Sequence, residues 1–338
     1  MIDQAAATGA SGAVSPRSWF LQLFSVVLFG LAVWFIHHEL AQGRLSDLLE
    51  AVEGLPARSI ILAVLATVLG YATLTMFDAL ALLYLGNNLR FYRTALASFI
   101  GYAFAHSLGF AILSGGAVRY RLYRAWGLSA FEIGAIVAFN SMTTFLGLAS
   151  LIGLACLVAP GAIGALLSVP AAVITGIGML LAAVVVGYHM LTIVVRAPFR
   201  VCRWQLRLPS PKLALLQTLI SLLDWSLAAL ALYVLLPAEV SIGFFVLLGI
   251  FALANLAGLI SHVPGGIGVF EGLMLLAIPS EGHSAGIAAA LIAYRLIYYV
   301  LPLLVAALLL GAHQLLSAAA TAGQPKRRYP PTTVGTVT

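Results

Sequence analysis

Eight apolar stretches, each long enough to cross a bilayer, divide this chain. They run over about 19–37, 59–85, 94–114, 131–158, 165–192, 213–236, 241–260 and 284–316. About 20 apolar residues suffice for a helical crossing. Only 8% of the 338 residues are charged and 62% are hydrophobic, whereas soluble domains carry roughly 25% charged residues. The sequence therefore predicts an all-α, polytopic integral membrane bundle with no room for a sizeable soluble domain. Residues 1–17 form a polar N-terminal segment, 18–317 the transmembrane bundle, and 318–338 a disordered basic tail containing Lys326, Arg327 and Arg328. The run Trp19–Ile36 is long enough to remain as an anchor, so no cleaved signal is expected.

One apolar region breaks its own pattern. Residues 261–271 read Ser-His-Val-Pro-Gly-Gly-Ile-Gly-Val-Phe-Glu, between apolar sequence from Gly243 and on to Ile278. Backbone groups freed by a helix break cannot face lipid. The break must be buried in protein or line a wet cavity.

Charge orients the spans. Loop 196–212 carries Arg196, Arg200, Arg203, Arg207 and Lys212, whereas loops 159–164, 237–240 and 279–283 carry no Lys or Arg. The positive-inside rule puts the basic loop and the C-terminal tail in the cytoplasm. Both flanks of 241–278 then lie outside, so that segment either enters and leaves from the outer face or crosses and returns by a distorted short helix. Two arrangements fit the N-terminal half. With the N-terminus inside, 94–125 is re-entrant from the cytoplasmic face; with it outside, 94–114 spans normally. A single charge separates the two counts.

A second Gly pair favours the first arrangement. Gly115-Gly116 ends an apolar run 150 positions before Gly265-Gly266, and each pair follows an intramembrane acid, Asp78 and Asp224. Paired interrupted segments in two halves point to a transporter binding site. The candidate repeats are about 59–192 and 213–317, inverted with respect to each other. The plain alternative is two unrelated helix breaks, since Gly is common in membrane helices.

The candidate binding residues cluster around these breaks. Arg295 lies inside an apolar run, where a charge costs on the order of 2.5–3.5 kcal/mol and must find a partner. Asp78, Asp224 and Glu271 are the acids within the membrane that can supply one. Gly265, Gly266 and Gly268 lead into the short helix 267–278, whose first amides would attract a lipid phosphate; Glu271 in that first turn either caps it or accepts a cation or proton. Arg119 and Arg121, with Arg124, follow Gly115-Gly116 and alternate with tyrosines; they either grip phosphate or serve as interfacial anchors. His262 and His106 are hydrogen-bonding candidates, and Asn140 and Asn255 are candidate links between helices. No His-x-x-x-His pair occurs, so no metal is expected, and no Walker, nucleophile-elbow or dinucleotide motif appears. No cofactor is expected, and nucleic acid is an unsuitable partner.

Ser114-Gly115-Gly116-Ala117-Val118-Arg119-Tyr120-Arg121 and His262-Val263-Pro264-Gly265-Gly266-Ile267-Gly268-Val269-Phe270-Glu271 together resemble the transmembrane region of the lysylphosphatidylglycerol synthetase family, also called multiple peptide resistance factor, and its stand-alone membrane relatives. The resemblance covers most of residues 15–317. It implies a flippase-like lipid translocase of the bacterial inner membrane, with a phospholipid or related lipid as ligand and a separately encoded lipid-modifying enzyme as partner. This chain ends at Thr338 without a transferase region, so the resemblance implies lipid movement and not aminoacylation. The alternative is a membrane-embedded enzyme or accessory subunit of lipid or polyprenol biosynthesis.

Overall fold

In an apolar chain the backbone satisfies its own hydrogen bonds by becoming helical, and most of the described residues do. The computed structural model describes residues 54–322 except 109–110, 196, 198, 202–203, 262 and 280–282. The expected first span, 19–37, and the N-terminal segment lie outside the described residues. The described helices are α1 (Ala57–Tyr84), α2 (Phe91–Leu108), α3 (Ala111–Ala125), α4 (Ala130–Val158), α5 (Pro160–Leu167), α6 (Ala171–Val194), α7 (Pro211–Tyr233), α8 (Phe244–Ser261), α9 (Val269–Ala277), α10 (Ser284–Arg295) and α11 (Leu301–Ala322). A two-stranded antiparallel hairpin, Phe199–Val201 with Trp204–Leu206, sits in the basic loop. Among the described residues, six helical segments are long and apolar enough to cross a membrane: Ala57–Tyr84, Ala130–Val158, Ala171–Val194, Pro211–Tyr233, Phe244–Ser261 and Ser284–Gln314.

Local chemistry sets the helix ends. Ser129 and Glu132 form a reciprocal capping box at the start of α4, and Ser210 with Pro211 opens α7. The expected loop 159–164 is instead the start of α5, with Pro160 at its first position and Ser168 in the left-handed conformation (φ 55°) ending it. The tail is helical to Ala322, past its expected start at residue 318; residues 323–338 lie outside the described ones.

Residues 94–114 do not form one continuous helix. α2 ends at Leu108 and α3 begins at Ala111, and the two pack as a hairpin. Gly115-Gly116 is correspondingly not a break: both glycines lie inside α3. Their role is close approach. A Cβ on Gly115 would stand 2.8 Å from the Gly101 carbonyl oxygen and 3.0 Å from the Ala105 Cβ. The second Gly pair differs, because there the chain does leave the helix. Gly265, Gly266 and Gly268 have φ of 59°, 64° and 79°, the left-handed region that glycine enters without penalty. This turn folds α9 back beside α8, with Gly266 against Gly258 and the Phe251 and Phe270 rings edge to face at 5.5 Å.

The two halves thus share an element order. A long helix (α1 or α7) leads into a hairpin (α2–α3 or α8–α9), and then to a further long helical segment. α1 packs along α7, and α2 reaches the 264–266 turn of the other half. One apolar cluster centres on α7–α10, with Leu232, Phe251, Phe270 and Tyr294 at its heart. A second joins α1–α4 to α11 through Phe77, Ile100, Tyr123 and Leu303.

The α2–α3 contact makes a direct prediction. Gly115→Val should force the hairpin apart and destabilise the protein by about 1–3 kcal/mol, the usual cost of overpacking. Gly134→Ala in α4, where nothing lies within 4 Å of the new methyl group, should stabilise by up to about 1 kcal/mol through helix propensity. Thermal unfolding of the detergent-solubilised protein measures both.

Candidate functional site

Among the described residues two arginines are buried in the bundle, and each is matched by an acid. Arg119 of α3 donates from Nε and Nη2 to the Asp78 carboxylate of α1 at 3.0–3.2 Å. Asp78 also accepts from the Tyr123 hydroxyl at 2.6 Å and from the Asn140 side-chain amide of α4. Asp78 is fully buried and Arg119 nearly so. The Arg119 guanidinium lies over the Tyr102 ring of α2, 4.2 Å from its centroid. One carboxylate therefore ties α1, α3 and α4 together, and a cation–π contact adds α2. Sequence reading expected Arg295 to find an acid but did not pair Arg119 with Asp78, 41 positions away.

The second pair holds the glycine turn. Arg295, the last residue of α10, donates Nε to Glu271 Oε1 at 2.5 Å and Nη1 to the Gly265 carbonyl at 2.7 Å. Glu271 also accepts from the Gly268 N–H at 2.7 Å, and the Arg295 guanidinium lies 4.9 Å from the Tyr299 ring centroid. The backbone freed by the break is answered here: the Gly265 carbonyl by an arginine, the Gly268 amide by the first-turn acid, and the Gly266 amide by the Val263 carbonyl at 2.9 Å. The amides of Gly266 and Gly268 are accordingly not free to cradle a phosphate, contrary to the sequence expectation.

A cavity of about 590 Å³ lies between these pairs. α2–α4, α7 and α8, the glycine turn, α9, α10 and the π-helical segment Leu296–Val300 all contribute to its wall. Its polar lining includes Arg119, His106, Asn140, Asp224 and Asn255, and its aromatic lining includes Tyr102, Trp225, Phe251, Phe270, Tyr294, Tyr298 and Tyr299. Gly116, Gly265 and Gly266 line it too.

Several expected binding residues stand elsewhere. Asp78, Glu271 and Arg295 lie behind the wall and hold lining residues in place. Gly115 is taken up by the α2–α3 contact. Gly268 is exposed. Arg121 and Arg124 are not on the cavity: residues two apart on a helix point to nearly opposite sides, so Arg121 turns away from the Arg119 face, and Arg124 donates to the Leu128 carbonyl at 3.2 Å. His262 lies outside the described residues. The aromatic wall escaped sequence reading, although the Tyr294, Tyr298 and Tyr299 spacing within an apolar run was its visible signal. Among the described residues no group of His, Cys, Asp and Glu has metal-site geometry.

The comparisons with known proteins follow the same outline. The sequence model of the lysylphosphatidylglycerol synthase TM region matches residues 22–306. The chain is 37% identical over 293 residues to the uncharacterized protein slr0712 of Synechocystis sp. PCC 6803, covering 86% of this chain and 90% of that one. It is 34% identical over 250 residues to the inner membrane protein YbhN of Escherichia coli K12, covering 72% and 76%. It is 26% identical over 290 residues to the phosphatidylglycerol lysyltransferase of Staphylococcus aureus MRSA252, covering 85% of this chain but 33% of that enzyme. The chain is thus a multi-pass membrane protein, and it belongs to the family of the lysylphosphatidylglycerol synthase transmembrane region.

Proposed function

We propose that this protein is a lipid translocase of the bacterial inner membrane, passing a phospholipid headgroup between leaflets through the cavity between its two halves. The observation that carries this reading is the cavity itself: about 590 Å³, walled by both hairpins and containing Arg119, Asn140, Asp224 and Asn255 inside an otherwise apolar bundle. Intramembrane polar residues that face a cavity mark a substrate path. Acyl chains would remain in lipid while the headgroup used the polar interior. Asp78, Glu271 and Arg295 would act by positioning the wall, with Arg119 presenting its guanidinium to the headgroup phosphate. The packing of α2 against α3 within 94–125, and the glycine turn within 241–278, support a reading of two re-entrant hairpins entering from opposite faces as an inverted repeat. Under this topology 18–317 forms one translocating unit, the tail is cytoplasmic, and a separately encoded enzyme makes or modifies the lipid.

Reconstitution tests the function. Purified protein in liposomes should expose acyl-labelled fluorescent phospholipid to an external quencher faster than protein-free liposomes do. Arg119→Lys keeps the charge beside Asp78 but loses the planar fork, and it should slow the exchange roughly tenfold, equivalent to about 1.4 kcal/mol. No movement above the protein-free rate sinks the proposal.

Topology is tested in intact cells on a Cys202→Ser background, with Cys156 buried. Ala238→Cys, in a loop between α7 and α8, should react with an impermeant maleimide from outside, whereas Arg207→Cys should react only after permeabilisation. The reverse pattern inverts the topology.

A further inference from the structure

Two arginines that the cavity does not use meet at one end of the bundle. There α1 ends and α4 and α7 begin, joined by hydrogen bonds from the Tyr84 hydroxyl to the Arg207 carbonyl and from Asn87 Nδ2 to Glu132 Oε1. α2 starts and α3 finishes nearby, and α11 passes beside them. The Arg93 guanidinium lies 5.7 Å from the Trp126 ring centroid. Trp126 meets His313 of α11 edge to face at 6.0 Å, and the Arg121 charge acts on that imidazole. Two guanidiniums, one from each arm of the first hairpin, thus share a patch floored by Trp126 and His313. None of these four residues lines the cavity.

No acid among the described residues balances this pair. Both salt bridges found among them lie elsewhere. Glu132, at the same end, is spent on the Ser129 amide and hydroxyl and on Asn87. Arg121 Nη1 is buried and meets no acceptor among the described residues. A guanidinium keeps its charge at any physiological pH, so this N–H needs an acceptor and the two cations need an anion.

Position and chemistry narrow the anion. Phe91 and Tyr92, next to Arg93 in the chain, are each 59% exposed, and Tyr120, next to Arg121, is 39% exposed. Exposed aromatics set beside arginines belong to the headgroup zone of a bilayer. A phosphodiester there offers oxygens that match the guanidinium fork, and its acyl chains cover the rings. Basic pockets between helices at the cytoplasmic side suit anionic headgroups.

We propose that Arg93 and Arg121 form an interfacial site for an anionic phospholipid, held by its phosphate as a resident clasp between the α2–α3 hairpin and α11. The lipid sits outside the cavity and is not cargo, so the site is independent of the proposed translocation. Its phosphate supplies the acceptor that Arg121 Nη1 needs.

The test uses the full chain in detergent. Native mass spectrometry compares dioleoyl phosphatidylglycerol with dioleoyl phosphatidylcholine, which share their acyl chains. The wild type should prefer the anionic lipid by roughly tenfold. Arg93→Gln combined with Arg121→Gln should remove that preference. Arg90→Gln combined with Lys212→Gln takes the same charge from exposed positions at the same end and should keep it. The single variants, each expected to lose roughly threefold, carry the test if the double variant fails to fold. Thermal unfolding reads the clasp, because a ligand that binds the folded form stabilises it. Phosphatidylglycerol should raise the wild-type midpoint above that in phosphatidylcholine and leave the Arg93→Gln, Arg121→Gln midpoint unmoved. Inorganic phosphate at millimolar concentration should leave the lipid bound.

Equal binding of the two lipids by the wild type overturns the proposal. So does a preference that survives loss of both arginines, or an equal loss in the Arg90→Gln, Lys212→Gln variant, the result expected of diffuse positive charge. Equal wild-type midpoints in the two lipids overturn the clasp. Displacement by inorganic phosphate moves the site to a soluble anion and overturns the lipid as occupant. Failure of lipid movement in liposomes removes the translocase and leaves this site standing.

Discussion

The Asp78 carboxylate is the point on which the N-terminal half depends. It lies fully buried in an apolar bundle and accepts from Arg119, Tyr123 and Asn140. A charge in such a place is tolerable only when both ions are paired and their remaining groups are satisfied. Those requirements fix where α1, α3 and α4 stand relative to one another. They also explain the glycines. Arg119 reaches Asp78 only because α2 and α3 run close together, and a Cβ on Gly101 would come within 2.9 Å of Arg119 Nη1. Ion pair and small residues are two halves of one constraint.

The C-terminal half solves a different problem with the same chemistry. There the polar groups in need are backbone ones, released where Gly265, Gly266 and Gly268 turn left-handed. Arg295 and Glu271 answer them while answering each other. The Arg295–Glu271 pair is less deeply buried than its counterpart, with Glu271 24% exposed at its side chain. A helix break in a membrane protein thus needs no water at the carbonyl of Gly265, because a guanidinium from the next helix replaces it.

Much of the architecture was legible because bilayer thickness forces long apolar runs. The spans at 131–158 and 213–236 fall close to α4 and α7. The glycine turn was legible because Pro-Gly-Gly-Ile-Gly conflicts with any continuous helix. Gly115-Gly116 misled for an instructive reason: glycine serves both backbone freedom and close approach, and a pair of glycines does not distinguish them. Only the position of Gly101 on a neighbouring helix decides. Arg121 was misplaced because alternation with tyrosines groups residues only in extended chain, whereas 111–125 is helical. The partners of Asp78 on α1 come from two other helices, α3 and α4, and no local pattern encodes such a meeting.

The aromatic wall is the final element, and it accounts for a cavity that stays open. A void between aliphatic side chains tends to collapse, since dispersion contacts reward filling it. Rings are stiff and pack in fixed geometries. Tyr294 and Tyr298, one helical turn apart, stack at 5.2 Å with 20° between planes, and Phe270 stacks on Tyr294 at 6.0 Å. His106 stacks on Tyr298 from α2, also at 6.0 Å. The π-helical turn Leu296–Val300 interrupts the α-helical register at this point and keeps Tyr298 and Tyr299 both buried. The carbonyl of Tyr298 receives the Tyr71 hydroxyl at 3.3 Å. The wall therefore resists collapse by ring packing, while its polar atoms, Asp224 above all, keep it from being an ordinary hydrophobic void. Rigid aromatic sides with a polar interior are what a headgroup site embedded in an apolar bundle requires.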